Sequence, residues 1–309
     1  MVTSERFPET HWRDQDLPLV LQALERLGAA VDVVAWDAES AVRWAAYDTL
    51  VMQSPWSMWT RLADFRAWVA ARVVEGAHLL NPAGVLSLGM TKQYLGQLAG
   101  LGVATVPTVF VRGHDDRLRQ RLAAVFPDSA ARRSIVVKPE SSGGALGARE
   151  FSFSEIDAAV AQVRAFGAAG VGALVQPYMN AIDTHRELGV IVTGGEISHA
   201  ITKAAILRPN DDHHAFHPDA RPYGELTAAR RAVVMNAYRR VVEILPRETP
   251  EPLSIRLDFV LDPSTESELL LLEAETVAPV RFFPLFPAEC QAYARQIVDR
   301  TAARRTVAR

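Results

Sequence analysis

Cysteine is almost absent from this chain: Cys290 is the only one among 309 residues. A lone cysteine excludes an intramolecular disulfide and a cysteine-rich zinc site, and it fits a reducing, cytoplasmic setting. A basic excess is missing too, since 33 Lys and Arg stand against 36 Asp and Glu for a formal charge of −3. Nucleic-acid binders carry the opposite balance, so no nucleic-acid partner is expected. No apolar run reaches the ~18 residues of a membrane-spanning helix, so no membrane partner is expected either. The opening stretch to Asp16 carries Glu5, Glu9 and Asp14. It has neither a basic start nor an apolar core and does not read as a secretory leader. What is present, 49% hydrophobic and 22% charged residues, is ordinary globular composition. The length predicts two or three domains.

Apolar periodicity orders the chain. Residues 17–27 predict a helix stopping at Gly28, 31–34 a strand, 42–47 a short helix and 49–52 a buried strand. Residues 62–74 predict an amphipathic helix and 77–80 a strand closed by Asn81-Pro82. Alternation of this kind predicts a parallel α/β sheet. Only Met1-Val2-Thr3 is available for its usual first strand, which is therefore expected to be very short or to begin upstream. Further helices are expected over 91–101, 115–125, 155–166, 225–245 and 288–305. Strands are expected at 134–138 and 173–176, with an extended, proline-containing stretch at 103–111. Two hairpins are expected, 187–193 with 196–203 around Gly194-Gly195, and 253–261 with 268–275. Residues 208–222 read as a polar, irregular loop.

Two segments carry chemistry. In Ile135-Val136-Val137-Lys138-Pro139-Glu140-Ser141-Ser142-Gly143-Gly144-Ala145-Leu146-Gly147 an apolar strand delivers a lysine into a Gly/Ser-rich loop. A lysine there is costly unless it meets an anion, and glycine amides can wrap phosphate oxygens. The segment is not a Walker loop, because no Lys-Ser/Thr follows the last glycine, and its spacing is not the dinucleotide fingerprint. The plainer alternative is a flexible hairpin turn. In the second segment, Asp258 sits in an apolar run, and Glu273 and Glu275 are two apart on a strand, hence on one face. Two acids on one face repel unless a cation lies between them, and hard oxygen ligands suit magnesium. The alternative is an exposed acidic face. Phosphate and magnesium chemistry together point to an enzyme that consumes ATP.

Other residues have ordinary readings beside chemical ones. His213, His214 and His217 with Asp211 and Asp212 could ligate a metal, but the segment reads as a loop closing on substrate. His199 reads as a packed strand residue ahead of a catalytic base. Arg281 reads equally as a surface residue or as a partner for a substrate carboxylate. Cys290 reads as a packed thiol. Trp44, Trp56, Trp59 and Trp68 read as core ahead of a ligand cage.

The order Lys92, Lys138-Pro139, glycine loop, Gln176-Pro177-Tyr178, Arg186-Glu187, Ser198-His199-Ala200, Lys203, Arg256-Leu257-Asp258 and Glu273-Ala274-Glu275 resembles the ATP-grasp ligases over nearly the whole chain. Glutathione synthetase and D-alanine–D-alanine ligase are members of that family. Val34-Ala35-Trp36-Asp37, Gln53-Ser54-Pro55-Trp56 and Phe65-Arg66-Ala67-Trp68 resemble the subgroup that contains D-cycloserine synthetase. The resemblance implies an α/β fold, α+β in the ATP-binding part. Its divisions would be an N-terminal domain at 1–87, a central subdomain with a glycine-rich lid at 88–176 and a C-terminal subdomain with the metal site at 177–309.

The resemblance also implies roles. Lys92 and Lys138 would contact the ATP phosphates under a loop that includes Ser141, Ser142, Gly143, Gly144 and Gly147. Gln176, Pro177 and Tyr178 would lie at the adenine and Glu187 near the ribose. Asp258, Glu273 and Glu275 would hold one or two magnesium ions, for which manganese can substitute. Lys203 and Arg256 would stabilise the transferred phosphoryl, with His199 and Arg281 as substrate-side candidates. The implied reaction joins a small-molecule carboxylate to an amine through an acyl phosphate; the alternatives are an intramolecular cyclisation and a nucleotide-binding protein without catalysis. A homodimer is compatible with the family. Two departures stand out. Glu275 replaces the family's usual asparagine, and Gln53-Ser54-Pro55-Trp56-Ser57-Met58 replaces the subgroup's Arg-Ser-x-Trp-Asp-Tyr near the substrate.

Overall fold

The computed structural model describes residues 1–5, 13–39, 42–113, 115–126, 134–205, 207, 219–261 and 269–307. The N-terminal sheet consists of β1 (Val2–Thr3), β2 (Val34–Ala35), β3 (Leu50–Ser54) and β4 (Leu79–Leu80), all parallel in the order β2-β1-β3-β4. The first strand is thus only two residues long, yet it lies inside the sheet with Val2 fully buried. The connections are α1 (Leu17–Arg26), which ends at Gly28 in the left-handed region (φ 74°), and α2 (Leu62–Val74). Two expectations shift here. The strand expected at 31–34 forms only at Val34–Ala35, and 42–47 makes only a 3-10 turn at Trp44–Ala46.

Next come α3 (Ala83–Gly89) and α4 (Tyr94–Gly100). Helix α3 is not visible in the sequence, because Gly84 and Gly89 weaken its helical signal. Both glycines are forced by close packing: a Cβ at Gly84 would lie 2.6 Å from Thr249 Oγ1, and one at Gly89 2.1 Å from Thr276 Oγ1. The middle sheet is antiparallel, in the order β5-β8-β6-β7, built from β5 (Val109–Val111), β6 (Ser134–Pro139), β7 (Arg149–Ser152) and β8 (Ala173–Pro177). Helices α5 (Leu118–Val125) and α6 (Ile156–Ala168) cover one face, burying Ile135, Val137 and Val175. The opposite face keeps Val136, Lys138 and Gln176.

After α7 (Ala181–His185), the third sheet runs β11-β10-β9-β12-β13, all antiparallel. Its strands are β9 (Glu187–Thr193), β10 (Glu196–Lys203), β11 (Ala220–Pro222), β12 (Ser254–Leu261) and β13 (Leu269–Glu275). The Gly194-Gly195 hairpin forms as the sequence predicts, with both glycines at positive φ. Leu188, Val190, Ile255, Leu257 and Ala274 point to one face, where α4 and α8 (Ala228–Glu243) cover them. Strand alternation therefore commits Glu187, Arg256, Asp258, Glu273 and Glu275 to the other face. Helix α9 (Pro287–Val307) returns to pack on α1.

Asn81 joins the parts. Its side chain donates to Ser254 O (2.8 Å) and Thr276 O (2.6 Å) and accepts from the amides of Leu253 (2.7 Å) and Ser254 (3.1 Å). A residue that reads as a strand stop thus ties the end of β4 to the third sheet. Asn81→Ala strands four buried backbone groups. It should lower the unfolding free energy by about 3 kcal/mol or more, as measured by urea denaturation. A loss under about 1 kcal/mol would show that water replaces the amide.

Candidate active site

One cleft lies between the middle and third sheets and is closed at one end by the N-terminal domain. Lys92, Lys138, Ser142, Gly143, Gly144, Gln176, Pro177, Tyr178, Glu187, Lys203, Arg256, Asp258, Glu273 and Glu275 line it. Most of the residues singled out in the sequence meet there, although they come from nine separate elements and loops.

The register of the third sheet sets the charges. Arg256 is paired across the ladder with Glu275, Asp258 with Glu273, and Lys203 with Glu187. Arg256 clasps Asp258 from Nε (2.8 Å to Oδ1) and Nη2 (2.9 Å to Oδ2), and its Nη2 also meets Glu275 Oε1 at 2.7 Å. Lys203 Nζ donates to Asp258 Oδ2 at 2.8 Å and pairs with Glu187. Lys92 Nζ lies 2.9 Å from Glu273 Oε1 and 2.5 Å from the Ser142 carbonyl. Gly189 opposes Asp258 in β9, where a Cβ would come within 3.0 Å of Asp258 Oδ1. Tyr94 OH fixes the strand between the two glutamates, donating to Ala274 O and accepting from Ala274 N.

These contacts reset the titrations. Burial alone would raise the Asp258 carboxyl, but Arg256 and Lys203 overcome it and hold it well below the ordinary range. Burial raises Glu275 to about 7; Arg256 opposes this, and repulsion from Glu273 and Asp258 adds to it. Burial lowers the Lys138 ammonium to about 8, against the pull of Glu273 and Glu187 and with Lys92 adding to the shift.

Lys92, Lys203 and Arg256 are thus paired with Glu187, Asp258, Glu273 and Glu275, while Lys138 lies in the same cleft without an ion pair among the described residues. Asp258, Glu273 and Glu275 share the cleft face, as the sequence predicts. Among the described residues, however, no three of Asp, Glu, His and Cys close into a metal cage. Each carboxylate is instead held by a basic side chain. The donors still fit magnesium, which takes one or two carboxylates and completes its shell with phosphate and water.

Several expectations do not meet in the cleft. Ser141 turns away to donate to Met90 O (2.7 Å), and Gly147 (φ 74°) packs on Pro139. His199 is a packed residue, its ring 4.2 Å from that of Phe286 and its Nε2 2.6 Å from Arg281 O. Arg281 is neither exposed nor in the cleft. Its side chain is buried over Tyr293, 4.5 Å from the ring centroid. The glycine loop, expected as a lid, is folded on itself. It folds into two turns, Leu146 N to Gly143 O and Ala148 N to Ala145 O, with Gly143 seated against Trp59. The histidine cluster at 213–217 lies outside the described residues. Trp44 and Trp68 are core, as expected, but Trp56 and Trp59 are cleft wall, as are Ala278, Val280 and Phe282. The only sequence signal for that wall is the Trp-x-x-Trp spacing in a short segment with no strand or helix pattern.

The architecture is that of the ATP-grasp ligases. D-alanine–D-alanine ligase from Bacillus anthracis, complexed with ATP, superposes with a TM-score of 0.66 at 11% identity, covering 99% of this chain and 97% of that one. The crystal structure of D-cycloserine synthetase DcsG gives 0.84 at 28% identity, over 97% and 98%. Residues 1–81 match the family model of the D-cycloserine synthetase DcsG N-terminal domain. The cycloserine biosynthesis protein DcsG of Streptomyces lavendulae is 30% identical over 269 residues, 86% of this chain and 87% of that protein. The chain belongs to the DcsG family.

Arg256→Met removes the main partner of a buried carboxylate and should cost about 3–5 kcal/mol of stability. The pH dependence has a definite sign. Asp258 is depressed in the folded state, so the stability it supplies is present above its unfolded value of about 3.9 and is lost as pH falls below that. Urea midpoints between pH 3 and 7 should fall less steeply with acid in Arg256→Met than in the unaltered protein. Parallel curves would mean Asp258 is not held by Arg256.

Proposed function

We propose that this protein is an ATP-dependent carboxylate–amine ligase. The observation that carries the reading is the lattice of Lys92, Lys203 and Arg256 with Glu187, Asp258, Glu273 and Glu275, with Lys138 lining the same cleft of an ATP-grasp fold. Lys92, Lys203 and Arg256 can each exchange an internal partner for a ligand charge, and Lys138 stands in the same cleft without an ion pair among the described residues. Lys92 and Lys138 bind the phosphates of ATP, with the amides of the loop around Gly143 and Gly144. Gln176, Pro177 and Tyr178 form the adenine end, where Gln176 is steadied by a 2.9 Å bond to Thr108, and Glu187 lies toward the ribose. Magnesium, held by Asp258, Glu273 and Glu275, would supply charge neutralisation at the phosphates.

A carboxylate oxygen of the substrate attacks the γ-phosphorus and ADP leaves. The amine then attacks the acyl carbon and phosphate leaves. Arg256 and Lys203 offset charge on the transferred group, and the protein's work is positioning and electrostatics. No covalent enzyme nucleophile is required. The division into 1–87, 88–176 and 177–309 is proposed with this reading and is supported by the three sheets, although α9 packs back on the first part. The relative's role in cycloserine biosynthesis favours a product in antibiotic or secondary-metabolite chemistry. It also supports a second reading, in which amine and carboxylate belong to one molecule and the ligase closes a ring. ADP release separates the readings: a cyclase needs one substrate, an intermolecular ligase two, and a binding-only homologue releases none.

Lys138→Ala should weaken magnesium-dependent ATP binding by roughly 10- to 100-fold, the loss of one charge-assisted phosphate contact. Because Lys138 titrates near 8 without ligand and phosphates favour its charged form, ATP binding at pH 8–9 should take up protons. Calorimetry in buffers of different ionisation enthalpy reads both effects. Unchanged affinity in Lys138→Ala, or proton release near pH 8.5, would remove Lys138 from the phosphate site.

A further inference from the structure

The cleft end next to Arg256 is apolar. Ala278, Val280 and Phe282 line it from the irregular segment that follows β13, and Trp56 lies beside them, its Nε1 donating to Ala278 O at 3.3 Å. The segment is anchored to the reacting centre. Arg256 Nη1 donates to Val280 O at 3.0 Å, and the guanidinium lies 5.8 Å from the centroid of the Phe282 ring. Arg281 of the same segment is buried over Tyr293, so its charge does not line the cleft.

Polar groups that could have served this end are spent elsewhere. Asp37, whose side chain is wholly buried, accepts from Ser57 Oγ (2.8 Å) and the Glu5 amide (2.8 Å). Gln53 donates to Asp14 and, although its Oε1 has no partner, it does not line the cleft. Among the described residues, the one acid beside Arg256 that is not already clasped with Lys203 or Lys92 is Glu275, and it is paired with Arg256 itself.

Phe282 is held there deliberately. Its backbone is left-handed (φ 58°, ψ 35°), uncommon for a bulky residue. The carboxylate of the buried Asp16 accepts from the amides on either side, Arg281 N at 2.6 Å and Phe283 N at 2.7 Å. Asp16 stands at the N-cap of α1 but makes no side-chain cap bond there. Asp14 Oδ1 takes the Asp16 and Leu17 amides instead, leaving Asp16 to clamp the turn.

We propose that the acid activated at Arg256 carries an aromatic or bulky aliphatic group, seated on Phe282, Val280, Ala278 and Trp56, and that Asp16 is the positioning residue that sets Phe282. This rests on the ligase reading and names its substrate class. Small hydroxylated or charged acids leave the wall uncovered and fill the site poorly. An apolar body removes it from water, which is worth roughly 10- to 100-fold in affinity for a side chain the size of phenylalanine.

The test is calorimetry on the full chain loaded with magnesium and a non-hydrolysable ATP analogue, using both enantiomers of phenylalanine and of serine. One enantiomer of phenylalanine should bind at least tenfold more tightly than either serine. Phe282→Ala should erase most of that margin, and Asp16→Asn, which keeps one acceptor oxygen, should reduce it. Affinity for the ATP analogue should stay unchanged in both variants, which a merely destabilised fold would not give. If Asp16→Asn fails to fold, Phe282→Ala alone decides. Serine binding as tightly as phenylalanine, neither amino acid binding, or a margin that survives Phe282→Ala overturns the substrate class and leaves the ligase reading standing. Failure of the ATP analogue itself to bind overturns the ligase reading and this proposal with it.

Discussion

The clasp of Arg256 on Asp258 is the interaction on which the cleft depends. Both side chains stand on one strand, two residues apart and out of water, and neither could remain ionised there alone. Once paired, they recruit the rest. Lys203 closes on the second oxygen of Asp258, Glu187 balances Lys203, and Glu275 balances the far side of the guanidinium. The result is a set of charges held in fixed positions before any ligand arrives, which is what phosphoryl chemistry demands of a protein.

The lattice needs a rigid floor, and the packed side of the same sheet supplies it. Leu188, Val190, Ile255, Leu257 and Ala274 are buried under α4 and α8. A one-residue slip in register would exchange those apolar groups with the charged ones. The hydrophobic pattern therefore enforces the electrostatic one. Tyr94 adds a direct brace, gripping the backbone of Ala274 between Glu273 and Glu275. Glycines serve the same end by omission: Gly189 makes room for Asp258, and Gly143 lets the loop after Lys138 lie against Trp59.

The two ends of the cleft differ in kind. The end at Lys92 and Lys138 is built of charges and the glycine loop. The end facing the N-terminal domain is built of Trp56, Val280 and Phe282, with the polar residues of that domain turned inward on one another. This is also the region where the chain departs from the pattern of its subgroup, at Gln53 to Met58. Ser57 and Met58 are accounted for by packing: Ser57 is bonded to Trp36, Ser4 and Asp37, and Met58 is fully buried.

Much of this was legible in the sequence, for definite physical reasons. Alternation along a strand fixed the common face of Glu273 and Glu275, and the apolar run before the glycines placed Lys138 near the end of a strand. The parallel first domain, the Gly194-Gly195 hairpin and helix α2 followed from periodicity and turn chemistry alone. Local pattern could not see what distant segments demand. Helix α3 was hidden because its glycines answer to Thr249 and Thr276, far along the chain. The burial of Arg281, the packing of His199 on Phe286 and the placing of Trp56 and Trp59 in the cleft were decided by which segments meet in space. So was the clamp of Asp16 on Phe282, which joins residues more than 260 positions apart. Sequence determined which side chains share a face, because that is set by backbone period; only the tertiary structure decided what each face meets, because that is set by packing between elements the chain brings together from its two ends.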